Sequence, residues 1–367
     1  MARRILLAGG GTAGHIEPAL AVAEAIARID KGVTIEFIGT SAGLESLLVP
    51  QRGYTLRTIP KVTLPRKISI RTLFFPVAIF RSVLAARRII KGADLLIGFG
   101  GYVSASSYLA AKSCGVRIAL HEANAKPGWA NRLGRHFAEV VAVNFEQVRR
   151  DWPGSVLTGM PIRSAITQLA GLNKDEREKF RELHCKSWGF NPNLPLVAVF
   201  GGSQGSMVIN AAISDYLSKS NGGIQIIHAV GINNPLPVAR ANYLPMPYFH
   251  DMAAIYGAAD LLITRSGAVT CSELMTSGRF AVLVPLPHGN GEQVDNARAL
   301  NEDGRAIMVD NEDFTGEWLM ENLAEIVSSI SHREISASDL HRGAAERIAG
   351  LAIDSMESKD SGSGEAR

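Results

Sequence analysis

Thr264-Arg-Ser-Gly-Ala-Val-Thr-Cys-Ser-Glu-Leu-Met-Thr-Ser-Gly278 is the stretch whose reading decides the fold. The apolar run Leu261-Leu262-Ile263 leads into it and stops abruptly at small and polar residues, and a helix-like pattern opens at Ser266-Gly267-Ala268. A buried strand that delivers a helix N-terminus leaves backbone N–H groups at the positive end of the helix dipole, an arrangement that suits a phosphate. Glu273 stands about two helical turns beyond Ser266, so both fall on one face. A second apolar run, Phe280-Ala-Val-Leu-Val284, follows and ends in a polar loop that carries Glu292 and Gln293. Strand, phosphate-facing turn, helix and strand outline a nucleotide-sugar donor pocket.

Outward from this stretch the same grammar recurs. Leu196-Val-Ala-Val-Phe200 runs into Gly201-Gly-Ser-Gln-Gly-Ser206 and then the helix-like Val208 to Leu217. At the start of the chain, Arg4-Ile-Leu-Leu-Ala8 runs into Gly9-Gly-Gly-Thr-Ala-Gly-His15 and a helix over Glu17 to Ile26, with Pro18 in its first turn. These strands are continuously apolar rather than alternating, as strands buried on both faces are. Val33 to Ile38, Leu95 to Ile97, Arg117 to Leu120 and Val140 to Val143 extend the first series, and Ile224 to His228 and Ala281 to Val284 the second. Strands alternating with helices mean an α/β chain with doubly wound sheets. The pattern restarts after the polar segment Asn173 to Asn193, and Thr158-Gly-Met-Pro-Ile-Arg163 is a Gly/Pro break. The expected domains are therefore 1–163 and 164–339, with an irregular Ser/Gly/charged tail over 357–367.

A chain of 367 residues is long for one core, which agrees with two domains. A hydrophobic fraction of 46% with 20% charged residues is that of a soluble globular protein. Cys114, Cys185 and Cys271 share no close spacing, which argues against a disulfide framework or zinc site and for a reducing compartment. The N-terminal apolar run is too short for a signal sequence, and no stretch reaches the ~18 apolar residues of a membrane-spanning helix. The net charge of +3 hides an asymmetry: residues 1–165 hold 22 Lys/Arg against 10 Asp/Glu, and residues 166–367 hold 16 against 25. Only the first half is suited to an anionic partner. Between Glu45 and Asp94 there are ten bases and no acid, and this segment includes Arg71, Leu73, Phe74, Phe75, Phe80 and Arg81. Apolar residues beside unopposed bases read as an interfacial patch for anionic lipid, with an ordinary helix bearing a solvated basic face as the plainer alternative. No nucleic-acid-binding motif is present.

Gly9, Gly11 and Gly14 match G-x-G-x-x-G, but the acid a dinucleotide site needs at the end of the second strand is missing, since Glu36 sits inside that strand. His15 directly after the loop points to proton transfer instead, with packing in the loop as the plainer role. In the Gly201 loop, glycines admit a pyrophosphate and Ser203 adds a donor; a tight turn is the alternative. The sequence has no Asp-x-Asp pair, the common device for Mg²⁺ under a diphosphate, so a leaving diphosphate would be met by helix dipoles and donors such as Arg163. Phe99-Gly-Gly-Tyr-Val-Ser104 and His121-Glu-Ala-Asn124 also follow apolar strands, which places Tyr102, Ser104, His121, Glu122 and Asn124 at the same sheet edge as His15. Glu122 is a second candidate base.

Together, these residues resemble the MurG-type transferases, which add N-acetylglucosamine to the undecaprenyl-linked muramoyl-pentapeptide, lipid I, to give lipid II. The resemblance runs through Gly9 to His15, Gly100 to Ser104, His121 to Asn124, Gly159 to Arg163, Gly201 to Gly205, Asp251-Met-Ala-Ala-Ile-Tyr256, Arg265 to Glu273 and Gly291-Glu-Gln293. It implies a GT-B fold, two Rossmann-like domains with a cleft between them, and inverting transfer without metal or cofactor. By resemblance, Thr12, Gly14, Asn124, Arg163, Ser203, Gln204, Phe249, Ala268, Val269, Thr270, Glu273, Glu292 and Gln293 bind UDP-N-acetylglucosamine. Within that set Glu273 takes the ribose hydroxyls and Phe249 lies by the uracil. Gly11, Thr12, His15, Tyr102, Ser104, His121 and Asn124 meet lipid I, and His15 or Glu122 is the base. The resemblance also implies a peripheral protein on the cytoplasmic face of the inner membrane, and a last helix, about residues 340–356, that returns to the first domain. Met160 and Ile162 stand where many members have Gly-Asn-Pro-Val-Arg, Ala123 where Gln is common, and Glu292 where a Gln pair is usual. The competing readings are another GT-B enzyme such as a 2-epimerase, a non-catalytic sugar-nucleotide or lipid-binding module, and a flavin oxidoreductase.

Overall fold

The computed structural model describes residues 3–10, 13–62, 75–220, 222–287, 290–330 and 337–357. The chain forms two compact units, Met1–Ile162 with Leu340–Arg367, and Arg163–Asp339. In the first unit lie β1 (Arg4–Ala8), β2 (Thr34–Gly39), β3 (Thr55–Thr58), β4 (Leu95–Gly98), β5 (Arg117–Glu122), β6 (Val140–Val143) and β7 (Val156–Leu157). They make a 7-stranded sheet in the order β3-β2-β1-β4-β5-β6-β7, and every pairing is parallel. The second unit holds β8 (Leu196–Phe200), β9 (Gln225–Ala229), β10 (Tyr243–Met246), β11 (Leu261–Thr264), β12 (Phe280–Leu283) and β13 (Ala306–Met308). These form a 6-stranded parallel sheet in the order β10-β9-β8-β11-β12-β13. In a parallel sheet the crossover helices cover both faces, which is why β1, β4, β8 and β11 are apolar at nearly every position.

Strand order reverses between β1 and β4 in one sheet and between β8 and β11 in the other. At such a switch point the two chains leave the sheet in opposite directions and open a crevice at the carboxyl ends. The loops singled out by sequence, at Gly9, Gly100, Gly201 and Ser266, leave those four strands.

Several boundaries differ from expectation: the first unit ends at Ile162, so Arg163 falls in the second, and the helix expected from about 340 starts at Ala344. The first helix begins at Ala13 rather than Glu17 and runs to Ile29, so Pro18 lies inside it and removes the hydrogen bond to the Gly14 carbonyl. The last helix, Ala344–Glu357, continues one residue into the tail that composition marks as irregular; 358–367 lie outside the described residues. This helix buries Ile348, Ala349, Ala352, Ile353 and Met356 in one core cluster with Ile5, Leu7, Ile16, Leu20 and Phe37. Each large side chain so buried contributes on the order of 2 kcal/mol. Ahead of it, His341 Nδ1 accepts from the Met160 amide at 3.1 Å, and within it Arg347 Nη2 donates to the Thr158 carbonyl at 2.7 Å. Between those contacts, Gly159 has a φ of +76°, and a Cβ there would lie 2.5 Å from the Leu340 carbonyl oxygen. Only glycine fits.

Candidate functional site

In the second unit, helix Ala268–Ser277 starts without a cap. Its N-cap is Gly267, no side chain bonds its first turn, and no acid stands there. The first intrahelical bond is Cys271 N–H to the Gly267 carbonyl, so the amides of Ala268, Val269 and Thr270 precede the ladder. A Cβ on Gly267 would meet nothing within 4 Å. Uncapped amides, the dipole and open space together make an anion cradle.

Neighbouring loops are tied to this helix start. Ser266 Oγ donates to the Gln293 carbonyl at 2.7 Å, Asn296 Nδ2 donates to the Ser266 carbonyl at 3.1 Å, and Gln293 Oε1 accepts the Leu286 amide at 3.1 Å. Gln293 therefore holds its own loop with one amide atom and keeps Nε2 as the end able to donate to a ligand. Arg265 donates to Ser206 Oγ at 2.6 Å, Asn311 Oδ1 at 2.7 Å, and the Val284 and Pro285 carbonyls at 2.9 and 3.1 Å. This one guanidinium joins loops that follow four strands. Sequence reading quoted Arg265 without giving it a role; the signal was a lone charge between a buried strand and a helix start.

The Gly201 loop is compact: a Cβ on Gly201 would lie 2.5 Å from the Ser206 amide nitrogen. Ser206 caps the following helix, Met207–Lys219. Ser203 is half-buried, and Gln204 is exposed with Oε1 accepting from Asn233 Nδ2 at 3.3 Å. Glu273 is 1% exposed and pairs with Arg163 Nη1 at 2.8 Å. The fully buried Tyr256 hydroxyl beside it is held protonated, first by burial and then by the Glu273 charge. Phe249 is 3% exposed, and its ring packs edge-on against Phe200 at 6.1 Å. Glu292 Oε2 accepts the Asn290 amide at 3.1 Å and serves its own turn.

In the first unit, His15 and Gly14 are half-buried at the start of helix Ala13–Ile29. His15 Nδ1 lies 3.2 Å from the Gly10 carbonyl oxygen. Facing a carbonyl, that nitrogen carries the proton, so Nε2 carries the lone pair. Gly100 and Gly101 have φ of +91° and +79°, and a Cβ on Gly100 would lie 3.4 Å from Nε2. Glycines thus let the β4 loop come close to the imidazole. Tyr102 and Trp129, 37% and 41% exposed, meet with tilted rings 5.4 Å apart on this edge. Trp129 was missed by sequence reading; Gly128-Trp129, an aromatic just after a glycine, was its only signal.

Three candidates lie beneath the edge rather than on it. Ser104 Oγ, fully buried, donates to the Ala8 and Gly100 carbonyls at 2.8 and 2.7 Å and clamps β1 to the β4 loop. His121, 1% exposed, has Nε2 3.0 Å from the Gly159 carbonyl oxygen. Glu122, 2% exposed, accepts from the Asn124 amide and Nδ2 at 3.0 and 3.4 Å, from the Gly128 amide at 3.1 Å and from Asn131 Nδ2 at 3.0 Å. Burial pushes its pKa up and those four donors oppose the rise. A carboxylate so enclosed holds a loop, whereas His15 stands half-buried at the edge.

Burial lowers the His121 pKa to about 4. The native state therefore refuses a proton that the unfolded chain takes up near pH 6.5. Thermal stability is expected to fall as pH drops from about 6.5 through 4. His121→Gln should remove its share of that dependence, with His228, which burial also lowers to about 4, supplying the rest, as read by melting temperature across the range.

Glu36 has no free end for a ribose. Its oxygens accept from Arg4 Nε and Arg57 Nε, both at 2.8 Å. Burial raises its pKa, but the two arginines outweigh it and the net shift is downward. A dinucleotide acid is therefore absent here. Among the described residues, no group of three His, Cys, Asp or Glu is placed to hold a metal ion, and no helix is long and apolar enough to cross a membrane. Helix Phe75–Ile90 buries Ser82, Ala86 and Ile90 and exposes Val77, Phe80 and Leu84 at 55%, 62% and 41%, with Arg81, Arg87 and Arg88 exposed among them. Phe75 is half-buried at its start. Gly11, Thr12, Arg71, Leu73 and Phe74 lie outside the described residues.

Two parallel α/β units with glycine loops at both switch points are the architecture of the GT-B glycosyltransferases. The chain belongs to glycosyltransferase family 28, whose N-terminal domain model matches residues 5–143 and whose C-terminal domain model matches 196–349. It is 45% identical over 354 residues to a UDP-N-acetylglucosamine–N-acetylmuramyl-(pentapeptide) pyrophosphoryl-undecaprenol N-acetylglucosamine transferase of Corynebacterium efficiens, covering 95% of this chain and 96% of that one. To the transferase of the same description from Streptomyces coelicolor it is 42% identical, covering 93% of each. A crystal structure of MurG from Acinetobacter baumannii matches with a TM-score of 0.71 at 25% identity, covering 96% of this chain and 99% of that one. A Listeria monocytogenes protein described as a putative UDP-N-acetylglucosamine 2-epimerase shares the fold, with a TM-score of 0.62 at 12% identity over 97% of each chain.

Proposed function

We propose that this glycosyltransferase moves N-acetylglucosamine from UDP-N-acetylglucosamine to the muramoyl 4-hydroxyl of lipid I, forming lipid II for peptidoglycan synthesis. The observation that carries the reading is 45% identity over 95% of the chain to a transferase of that description. His15, the uncapped Ala268 helix and Glu273 support it. His15 Nε2 takes the proton of the acceptor hydroxyl as its oxygen bonds to the anomeric carbon of N-acetylglucosamine. The bond from that carbon to the diphosphate oxygen breaks in the same step, and UDP leaves with the electron pair. One displacement inverts the anomeric centre. The developing diphosphate charge is met by the amides of Ala268, Val269 and Thr270 and by the Gly201 loop with Ser203, without a metal. Glu273 takes ribose hydroxyls and Gln293 the sugar.

UDP release from UDP-N-acetylglucosamine, measured in EDTA with and without a lipid I analogue, tests this reading. Release only with the analogue is expected, at a rate the chelator leaves unchanged. Consumption without any acceptor would indicate an epimerase, and tight UDP binding with no turnover a binding module. A rate lost in EDTA and restored by Mg²⁺ would overturn the metal-independent mechanism.

The protein sits on the cytoplasmic face of the inner membrane, with Val77, Phe80 and Leu84 at the headgroup level and Arg81, Arg87 and Arg88 toward anionic lipid. Phe80→Glu is expected to weaken binding to anionic vesicles about ten-fold, since burying one aromatic side chain is worth about 1.5–3 kcal/mol. Soluble-substrate turnover should stay intact. Vesicle co-sedimentation at low and high salt reads this.

A further inference from the structure

A cavity of about 100 Å³ opens at the carboxyl edge of the first sheet, beside the His15 loop. Gly10, Ala42, Ile59, Val62, Val103 and Ser82 line its wall, and Lys61 and Tyr102 stand at its rim, both exposed. Gly10 is also the residue whose carbonyl accepts from His15 Nδ1, so one peptide separates the cavity from the imidazole. The lining is mainly apolar; of its two aliphatic hydroxyls, Thr40 Oγ1 donates to Glu45 Oε1 at 2.8 Å, and Ser82 carries the other. Ser82 is 1% exposed, and its Oγ has no hydrogen-bond partner. Elsewhere in the described helices, buried serine hydroxyls such as Ser107 and Ser272 donate to the carbonyl four residues back, at 2.8 and 2.9 Å. A buried hydroxyl without a partner costs about 1–3 kcal/mol, so it persists where something else satisfies it. Mainly apolar walls with one buried, unpartnered donor match a methyl group next to an amide carbonyl.

We infer that this cavity is an acceptor subsite that takes a methyl-bearing amide substituent of the acceptor sugar, with Ser82 Oγ donating to its carbonyl. The inference rests on the proposed acceptor. An N-acetylmuramoyl-peptide offers this chemistry twice, as the 2-acetamido group and as the lactoyl amide that leads into the peptide. Both lie within a few bonds of the 4-hydroxyl, and the cavity lies one peptide from the base. The helix that supplies Ser82 on its buried face presents Val77, Phe80 and Leu84 on its exposed face. An acceptor carried on a membrane-embedded lipid would thus arrive beside the helix that reads its sugar.

The test is steady-state transfer by the full chain, comparing lipid I analogues that carry N-acetyl or N-formyl on the sugar, and lactoyl or glycoloyl in the ether. With the wild type, loss of the methyl that occupies the cavity is expected to raise the acceptor KM about five-fold, and the arm that responds identifies the substituent. Ser82→Ala should raise the acceptor KM about five-fold with the donor KM unchanged, the loss of one neutral hydrogen bond. Val62→Phe should fill the cavity and abolish the preference between the methylated and demethylated analogues. A preference that survives Val62→Phe, or an acceptor KM indifferent to both variants, would overturn the subsite while leaving the transferase reading in place. No transfer by the wild type to any analogue would instead overturn the proposed function. Melting temperatures and UDP binding of the two variants separate a folding defect from lost recognition, and Ser82→Thr, which keeps the hydroxyl, should restore the acceptor KM of the fully methylated analogue.

Discussion

Alanine at His15 is expected to lower the turnover of transfer by about 10²–10⁴-fold, the usual contribution of a positioned general base. The apparent affinity for UDP-N-acetylglucosamine should change by less than about three-fold, because the amides at Ala268 and the ion pair of Glu273 with Arg163, proposed to serve the donor, belong to the second unit. The reason is tautomeric. A Gly10 carbonyl 3.2 Å from Nδ1 fixes the proton on that nitrogen and leaves Nε2 to accept another. Asparagine at the same position keeps a donor for Gly10 but supplies no base, so it should be nearly as slow as alanine. Near-full activity in either variant removes His15 from the role. Glu122→Gln makes the contrast: with four donors converging on its carboxylate, the change should appear first as a lower melting temperature. Turnover per folded molecule should fall far less than for His15→Ala. Single-turnover rates and thermal melts on the same preparations separate the two.

Much of this arrangement was legible in the sequence, and what was not follows a physical rule. The nine strands read from apolar runs are β1, β2, β4, β5, β6, β8, β9, β11 and β12, all interior to their sheets. The four that went unread, β3, β7, β10 and β13, are the four sheet edges. An edge strand is covered on fewer sides, so Thr55–Thr58 is largely exposed and Tyr243–Met246 tolerates Pro245. Glycine loops announced both switch points because backbone approach demands glycine whatever the side chains around it. Side-chain depth was the part that sequence did not carry. Ser104, His121 and Phe249 sit in the right segments, yet each points its polar atom or ring into the protein. Spacing along a loop says which strand end a residue follows, whereas its depth depends on residues far away, such as the Gly159 carbonyl that holds His121. Arg265 was overlooked for the same reason, since its partners Ser206 and Asn311 come from distant loops.

Gly267→Asp should separate stability from function in opposite directions. Aspartate is a favoured N-cap, and the helix at Ala268 has neither cap nor acid in its first turn. The backbone accepts the change: φ −63° and ψ 148° suit any L-residue, and a Cβ meets nothing within 4 Å. A capping carboxylate gains a few tenths of a kcal/mol over glycine, plus about 0.3–1 kcal/mol from the dipole, so the melting temperature should hold or rise slightly. The same carboxylate takes the amides of Val269 and Thr270 and sets a negative charge where the proposed mechanism holds the diphosphate. Losing even one charge-assisted bond costs about 1.5–3 kcal/mol, and the repulsion adds to it, so UDP affinity should fall at least about 100-fold. Gly267→Ala is the control, for it offers no oxygen to the amides and should leave UDP binding nearly unchanged. Calorimetric titration with UDP beside a thermal melt reads both effects. An aspartate variant that binds UDP as the parent does would show that this helix end is not where the diphosphate lies, and the donor geometry would have to be rebuilt around the Gly201 loop alone. A variant that melts higher and no longer binds UDP would explain why this helix keeps a glycine where stability alone favours an acid.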